Sequence, residues 1–195
     1  SHFNYHERYP KEFSMFKADK VAGIRAAYKK EMRNAYDNSI LYTDYILSEL
    51  ISKLKQTGDC TSLVYLSDHG EDIFDDARAR YLHASPIPTY YQLHIPYIIW
   101  FSDVFRTEWP EKYRSAVNHQ SAPVSTNSVF HTVLDLGGVS TSQSDSSFAL
   151  TQPAFKVRDR MYLGDHDDPI PFWKIGLKEL DFKMLDKWQL TYGER

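Results

Sequence analysis

The chain has 195 residues, of which 42% are hydrophobic and 25% are charged, so it has enough apolar material for one folded domain with a core. Its formal net charge of −3 gives no general attraction to nucleic acid, and no nucleic-acid partner is expected. The single cysteine, Cys60, excludes an intrachain disulfide. The sequence contains no run of about 18 apolar residues, which is the length that predicts a membrane span.

The first predicted element is a long helix from about Ile24 to Lys55, which follows an irregular aromatic segment. In its second half, apolar side chains recur close to the helical period, at Tyr36, Ile40, Leu47, Leu50, Ile51 and Leu54. Gly58 is typical of the position just after a helix end. The pattern therefore predicts an amphipathic helix of about 30 residues.

Two short apolar runs predict strands that are fully buried. The first runs from Thr61 to Leu66 and the second from Ile95 to Phe101. Pro96 lies at the start of the second run, where a missing N–H is tolerated. Runs of this kind are typical of parallel sheets that are covered on both faces.

The rest of the chain predicts one more helix and a loop. Ser125 or Thr126 can cap a helix that ends at Gly137, and the Ser-rich stretch from Ser140 to Ser147 predicts a surface loop. Because strands and helices alternate, the sequence predicts an α/β fold with three layers, α/β/α. We expect the two strands to be neighbours in one mostly parallel sheet with helices on both faces.

Polar side chains follow the first predicted strand directly. Asp68 and His69 come straight after the apolar run, and Gly70 allows the backbone to turn sharply there. A carboxylate and an imidazole are both zinc ligands, and as neighbours they diverge, so they can serve two metals or two sides of one. Glu71 adds a third polar group, and His83 follows a charged loop. The pattern indicates a metal site, although an Asp-His-Gly turn with a capping aspartate has the same sequence.

The other candidate residues have simpler interpretations. Asp72, Asp75 and Asp76 lack the spacing of a calcium-binding EF-hand loop, and we interpret them as a solvated acidic loop. Cys60 precedes a buried strand, which indicates an inert core residue. Four isolated histidines are interpreted as structural or exposed, namely His94, His119, His131 and His166.

An ordered series of short motifs covers roughly the first 100 residues. The series comprises Ser1-His2, Arg8-Tyr9-Pro10 with Phe13, Tyr36-Asp37-Asn38-Ser39-Ile40, Tyr42-Thr43-Asp44, Ser67-Asp68-His69-Gly70-Glu71, Tyr81-Leu82-His83, Gln92 and Ile95-Pro96. It resembles the sulfatase-like phosphoethanolamine transferases of the alkaline phosphatase superfamily. The resemblance implies an alkaline-phosphatase-like fold, with residues 1–195 forming the C-terminal part of a sulfatase-like catalytic domain.

The same resemblance implies a site that holds one or two zinc ions or another divalent metal. Asp68 and His69 would bind the zinc that activates the nucleophile. His2 and His83 would lie at the same site as metal ligands and near the phosphate of the substrate, and Glu71 would line the substrate pocket. The nucleophile and the first acidic ligand are expected before Ser1. Because the chain does not begin with Met, we interpret it as a piece of a longer protein, and the resemblance implies a membrane anchor in a preceding segment.

The reaction that the resemblance implies is zinc-dependent transfer of phosphoethanolamine from phosphatidylethanolamine to a lipid A or glycan acceptor, through a phosphorylated threonine. It would occur at the periplasmic face of the bacterial inner membrane, and the chain alone is expected to be inactive. The sequence differs from the family pattern at Phe3, at Ala84 and at Asp72-Ile73-Phe74, which leaves the acceptor and the subfamily open. The alternatives are a sulfatase, a phosphoglycerol transferase and a catalytically inactive metal-binding module.

Overall fold

The computed structural model describes residues 4–19, 23–83, 85–164 and 168–190. The helices in these ranges are α1 (Lys29–Thr57), α2 (Tyr90–Leu93), α3 (Asp103–Glu108), α4 (Pro110–Asn118), α5 (Asn127–Leu136) and α6 (Glu179–Lys187). The strands are β1 (Ser62–Leu66), β2 (Asp72–Ile73), β3 (Tyr81–Leu82), β4 (Tyr97–Phe101), β5 (Met161–Leu163) and β6 (Pro169–Pro171). Short 3-10 helices occur at Tyr5–Glu7, Lys11–Phe13, Ala26–Tyr28 and Phe172–Lys174.

The chain divides into two compact units. The first unit consists of residues 1–56 and 67–95, and the second unit consists of residues 57–66 and 96–195. None of the helices in the described ranges is long and apolar enough to cross a membrane. The combination of helices and strands confirms the α/β class.

Helix α1 packs on the core of the first unit through its N-terminal half. Met32 lies in a buried cluster with Ile73 and Phe74, and Ala35 is buried one turn further on. The helix is followed by Gly58 with a φ of +70°, which confirms the predicted terminator. The helix begins at residue 29 and not near residue 24, because a 3-10 turn comes first.

Beyond its first ten residues, α1 is less buried than its spacing suggests. Ile40 and Leu50, which belong to the predicted apolar stripe, are both exposed. A helical period shows which side chains share a face, but it does not show whether another element covers that face. The buried residues of the helix lie in its first ten residues instead.

Strands β1 and β4 are neighbours, as predicted, but they are antiparallel. The register pairs Ser62 with Phe101 and Leu66 with Tyr97. The expectation of a mostly parallel sheet is wrong here, and the β2–β3 and β5–β6 pairs are antiparallel as well. A parallel pair needs a crossover, usually a helix, that returns along the sheet. Between β1 and β4 the only helix in the described residues is the four-residue α2, which is too short to return the chain along the sheet. The chain therefore leaves β1 and enters β4 at the same end.

These two strands are also less buried than fully apolar runs predict. All five residues of β1 are half-buried, and Ile98 in β4 is exposed. Cys60 is exposed as well, and its interpretation as a core residue is wrong, since β1 begins two residues later. An apolar run indicates a strand, but it does not show whether one or both faces of that strand are covered by other elements.

The predictions of helix α5, of the loop after it and of structural roles for the isolated histidines agree with the structure where it describes them. Helix α5 follows Thr126 and ends before Gly137, and residues 140–147 form no helix or strand. Three of the isolated histidines have structural contacts, and His166 lies outside the described residues. Nδ1 of His94 lies 2.6 Å from the hydroxyl of Tyr90, and Nδ1 of His119 lies 2.9 Å from the carbonyl oxygen of Leu150. Nδ1 of His131 accepts from the backbone N–H of Asp145 at 3.1 Å.

Candidate metal centre

The candidate site begins in the segment that directly follows β1. The hydroxyl of Ser67 donates to the carbonyl of His69 at 2.7 Å, and the backbone N–H of His69 donates to Oδ1 of Asp68 at 3.0 Å. Asp68 is therefore a turn residue, as one interpretation of the sequence allowed. Its second oxygen, Oδ2, lies 3.7 Å from Nε2 of His69, so the carboxylate also accompanies the imidazole.

The Asp68 carboxyl is held in its anionic form. Burial acts to raise its pKa, but the hydrogen bond from the backbone of His69 and the nearby imidazole outweigh that effect. The net pKa lies below the ordinary value for aspartate. The carboxylate is thus ionised at neutral pH, which is the state that binds a metal.

Gly70 brings this segment against the backbone of α2. Its N–H donates to the carbonyl of Gln92 at 2.9 Å. A Cβ at this position would overlap the carbonyl oxygen of Tyr91, so no other residue fits without a backbone shift. The glycine therefore sets the distance between the site segment and α2.

Asp72 anchors the same segment from inside the first unit. Its Oδ1 accepts from the hydroxyl of Thr89 at 2.7 Å, and its Oδ2 accepts from the side-chain amide of Gln92 at 2.5 Å. Asp72 is only 2% exposed, so its interpretation as part of a solvated loop is wrong. The partners come from a later segment, and the local acidic pattern contains no sign of them.

Asp75 and Asp76 are held by partners as well. Asp75 accepts from the N–H of Ile73 at 2.6 Å, and the guanidinium of Arg78 donates to both oxygens of Asp76. The hydrogen bonds from Arg78 lower the pKa of Asp76 below its ordinary value, against a smaller effect of burial. These contacts close the β2–β3 hairpin, so neither residue belongs to a solvated acidic loop.

The β2–β3 hairpin returns the chain to the site. Asp72 pairs with Leu82, and Ile73 pairs with Tyr81. Leu82 has a φ of +69°, a conformation that is rare for a leucine and that turns the backbone just before His83. Strained backbone of this kind persists where its surroundings hold it, and it often accompanies functional sites.

His69, Glu71 and His83 converge at the end of this path. One potential ligand atom from each lies within 4.8 Å of the others. The two imidazole rings have centroids 3.9 Å apart and are inclined by 31°. Nδ1 of His83 lies 3.1 Å from Oε1 of Glu71. All three side chains are half-buried, which leaves the group accessible to a ligand from solvent.

The hydrogen bonds indicate which nitrogen of each ring carries a proton. Nδ1 of His69 lies 2.9 Å from the carbonyl oxygen of Gly70, and because a carbonyl only accepts, Nδ1 carries the proton. Nδ1 of His83 likewise donates to the carboxylate of Glu71. When each ring is neutral, its lone pair is therefore on Nε2, the arrangement in which a carboxylate or carbonyl orients a metal-binding histidine.

The donor set fits a zinc ion. Two neutral imidazoles with the carboxylates of Asp68 and Glu71 are typical zinc ligands. Two ligand atoms of one tetrahedral zinc lie about 3.3 Å apart. The 3.7 Å between Asp68 and His69 needs only a small side-chain rotation to reach that separation.

Two tyrosines flank Glu71 in the first unit. Tyr5 is buried and packs edge-on against Tyr36, with ring centroids 5.2 Å apart. Burial raises the pKa of Tyr5, and the charge of Glu71 raises it further. Burial and the same charge raise the pKa of Tyr81 to about 12. Both phenols are therefore protonated at neutral pH, which is the form that can donate to an anionic oxygen.

The sequence placed five residues at the site, and the structure describes four of them. It brings His69, Glu71 and His83 together and sets Asp68 beside His69, whereas His2 lies outside the described residues. Their individual roles stay predictions. Sequence reasoning missed the supporting residues, which are Asp72, Thr89, Gln92, Tyr5 and Tyr81. Gln92 belongs to the motif series, but its sequence context gives no signal of a role in support.

The sequence also matches a known family and a curated enzyme. The profile of the sulfatase family matches residues 1–139. Phosphoethanolamine transferase EptA of Salmonella typhimurium is 33% identical over 161 residues, which are 80% of this chain and 29% of that protein. The chain therefore spans less than a third of this relative's length.

Solved structures agree in fold. The zinc complex of the C-terminal periplasmic domain of EcEptC from Escherichia coli is 28% identical with a TM-score of 0.74, and the match covers 89% of this chain and 49% of that chain. The integral membrane protein lipooligosaccharide phosphoethanolamine transferase A from Neisseria meningitidis is 31% identical with a TM-score of 0.68, over 75% of this chain and 28% of that chain. These matches confirm the alkaline-phosphatase-like fold. The chain belongs to the sulfatase family, and its relatives there are phosphoethanolamine transferases.

Proposed function

We propose that this chain carries metal-binding residues of an enzyme that transfers phosphoethanolamine from phosphatidylethanolamine to lipid A or a related glycan. The observation that carries the proposal is the convergence of His69, Glu71 and His83 beside Asp68 in a sulfatase-family chain. The relatives' names support the transferred group, and the lipooligosaccharide enzyme supports a lipid-linked sugar as the acceptor.

The chemistry follows from the donor set. A zinc ion held here would supply positive charge for the phosphoryl oxygens and would lower the pKa of a hydroxyl nucleophile. Asp68 and Glu71 balance the charge of one dication, while the Gly70 carbonyl and Glu71 fix the two imidazoles in their metal-binding tautomers. The expected nucleophile is a threonine that becomes phosphorylated, and no residue of this chain is assigned to that role.

The proposed place of the reaction is the periplasmic face of the bacterial inner membrane. The E. coli neighbour is a periplasmic domain, and the Neisseria neighbour is an integral membrane protein. The donor phospholipid would come from that membrane. A membrane segment that precedes this chain in the whole protein, as expected from the family, would keep the site close to its lipid substrates.

Zinc binding by the purified chain tests the metal part of the proposal. We expect His69→Ala and His83→Ala each to weaken zinc binding at least about 100-fold in isothermal titration calorimetry, because each removes a ligand. His131→Ala is the matched control, since that imidazole accepts from Asp145 in the second unit. Equal zinc affinity in the two site variants and the control would contradict the metal centre.

Glu71 has two candidate roles that one substitution separates. If Glu71 orients His83, Glu71→Gln keeps a hydrogen-bond acceptor for Nδ1 and lowers zinc affinity only about 10-fold. If the carboxylate is a ligand, the loss is at least about 100-fold, because a neutral amide is a poor zinc ligand. The position assigned to substrate binding would then belong to the metal.

Lipid analysis tests the transfer itself. In a host that makes the whole protein, mass spectrometry of lipid A should show added phosphoethanolamine, and His69→Ala should abolish it at equal protein level. The 195-residue chain alone should show no turnover. Release of sulfate from an aryl sulfate would indicate a sulfatase instead, and addition of glycerol phosphate would indicate a phosphoglycerol transferase.

A further inference from the structure

Residues 13–17 of the first unit run along α1 in a backbone conformation that α1 itself holds. The side chain of Asn38 donates to the carbonyl of Phe16 at 2.8 Å and accepts from the N–H of Phe16 at 2.9 Å. Asn34 donates to the carbonyl of Lys17 at 2.6 Å. Asn38 is fully buried, so these bonds are shielded from water. The segment is thus fixed by a buried amide rather than by its own side chains.

The apolar side chains of this segment face solvent despite that fixation. Met15 is 74% exposed and Phe16 is 44% exposed. Phe13 packs against Tyr42 and Tyr45 of α1, with ring centroids 4.9 and 5.0 Å away. We define the apolar ridge as Phe13, Met15, Phe16, Leu41, Tyr42 and Tyr45. An exposed group of large apolar side chains on a rigid backbone is typical of an interaction surface.

Positive charge accompanies the ridge. Lys17 is exposed on the segment itself and lies 3.5 Å from Asp19. Lys11 is exposed two residues before the segment, and Lys30 is exposed one helical turn before Asn34. Over the stretch that bears the ridge, from Arg8 to Tyr45, the sequence has eight lysines and arginines and five acidic residues, although the whole chain has a net charge of −3. An apolar patch with cationic neighbours complements an anionic lipid surface, where aromatic rings and lysines lie at the headgroups.

We propose that the apolar ridge rests on the surface of an anionic phospholipid bilayer. Met15 and Phe16 enter the interfacial layer, and Lys11 and Lys17 contact lipid phosphates. The proposal rests on the proposed function in one respect, namely that the donor and acceptor are membrane lipids. It goes further by assigning the contact to a surface of this chain.

Vesicle binding tests the ridge without reference to catalysis. The purified chain is sedimented in EDTA with vesicles of phosphatidylethanolamine and phosphatidylglycerol, and with vesicles of phosphatidylcholine alone. We expect binding to the anionic vesicles, and at least about a 10-fold loss of partitioning for Met15→Ser with Phe16→Ser. Val157→Ser with Leu163→Ser is the matched control, since these two apolar side chains of the second unit are 57% and 63% exposed. That control should bind like the wild type.

Charge reversal gives a second route that leaves the core untouched. Lys11→Glu with Lys17→Glu changes two exposed side chains and should lower partitioning by about 10-fold. It also keeps the test valid if the Phe16 variant does not fold. His69→Ala should bind vesicles normally, so a failure of the proposed transfer chemistry would leave this result unchanged.

Four outcomes would overturn the proposal. They are absence of vesicle binding by the wild type, equal binding to phosphatidylcholine, equal loss in the ridge and control variants, and a wild-type dimer in sedimentation equilibrium that the ridge variant dissociates. The last outcome would show that the ridge joins two copies of the chain.

Discussion

In each unit, one buried or partly buried carboxylate holds a later chain segment by hydrogen bonds, and the two carboxylates have partners of the same types. Each carboxylate accepts one hydrogen bond from a threonine hydroxyl and one from a glutamine side-chain amide. The partners are Thr89 and Gln92 for Asp72 in the first unit, and Thr151 and Gln152 for Asp135 in the second unit. The two networks differ in solvent access and in the presence of a cation.

Asp135 also forms an ion pair with Lys112, whose Nζ lies 3.3 Å from its Oδ1. The Asp135 side chain is 17% exposed. Asp72 is 2% exposed, and both of its partners in the described ranges are neutral. A buried carboxylate without a cation depends on its hydrogen bonds to offset the loss of water. Because Asp72 is buried without a cation, its network, which adjoins Glu71 of the candidate metal centre, should tolerate less change than the network of Asp135.

The largest effect is expected for Gly70→Ala, which disturbs the segment that Asp72 anchors. The new Cβ would overlap the Tyr91 carbonyl, and a backbone shift would break the bond from the Gly70 N–H to Gln92. We expect the free energy of unfolding, measured in urea, to fall by about 3 kcal/mol. Zinc affinity should fall as well. Gly23→Ala is the control, because a Cβ there meets nothing within 4 Å.

Asp72→Asn should have the next largest effect. The new amide would direct a donor at Thr89 or Gln92, and one buried hydrogen bond would be lost. We expect the free energy of unfolding to fall by about 2 kcal/mol. Zinc affinity in calorimetry should fall by about 10-fold, as is usual when support of a metal ligand is disturbed. Unchanged zinc affinity would show that the anchor serves folding alone.

Asp135→Asn should have a smaller effect, although it disturbs the matching threonine and glutamine hydrogen bonds and also the ion pair with Lys112. Lys112 and the partial exposure of the site let water and the ammonium adjust, so we expect a loss of about 1 kcal/mol in the free energy of unfolding. Zinc affinity should equal that of the wild type. If this variant weakened zinc binding as much as Asp72→Asn, the contrast between the two networks would be wrong.

The smallest effect is expected for Asp76→Asn, and it should depend on pH. Because Arg78 lowers the pKa of Asp76 in the folded state, the folded protein binds this proton more weakly than the unfolded chain does. The stabilisation is complete above the ordinary value of 3.8 and is lost as the pH falls through the lowered pKa. Urea unfolding should show a difference of about 0.5 kcal/mol from the wild type at pH 7. The difference should shrink below pH 3.8, and an unvarying difference would contradict this origin.

Much of the fold follows from local sequence, whereas strand direction does not. The apolar runs locate β1 and β4 to within about two residues, and Gly58 marks the end of α1. An apolar run looks the same in parallel and antiparallel pairs, so the direction depends on how the connecting segment returns. Exposure of Ile40 depends in the same way on what lies opposite the helix.

The candidate site shows the same division. Asp68, His69, Glu71 and His83 were identifiable because reactive residue types follow a strand and because the motif series gives them a context. Asp72 has the same chemical type but is an internal anchor. What separates the two groups is the later segment of Thr89 and Gln92, whose contacts no local pattern contains.

The register of β1 and β4 affects how the segment that carries the candidate site can change in evolution. Leu66 and Tyr97 face each other in the ladder, so residues 67–96 form an excursion whose two ends lie about 5 Å apart. The entropic free-energy cost of closing such a loop grows only with the logarithm of its length, by about 0.6 kcal/mol for each doubling. Insertions and deletions between the two strands can therefore reshape the surroundings of the site while the ladder keeps its pairing. A candidate site on such an excursion can diversify by changes in length as well as by substitutions.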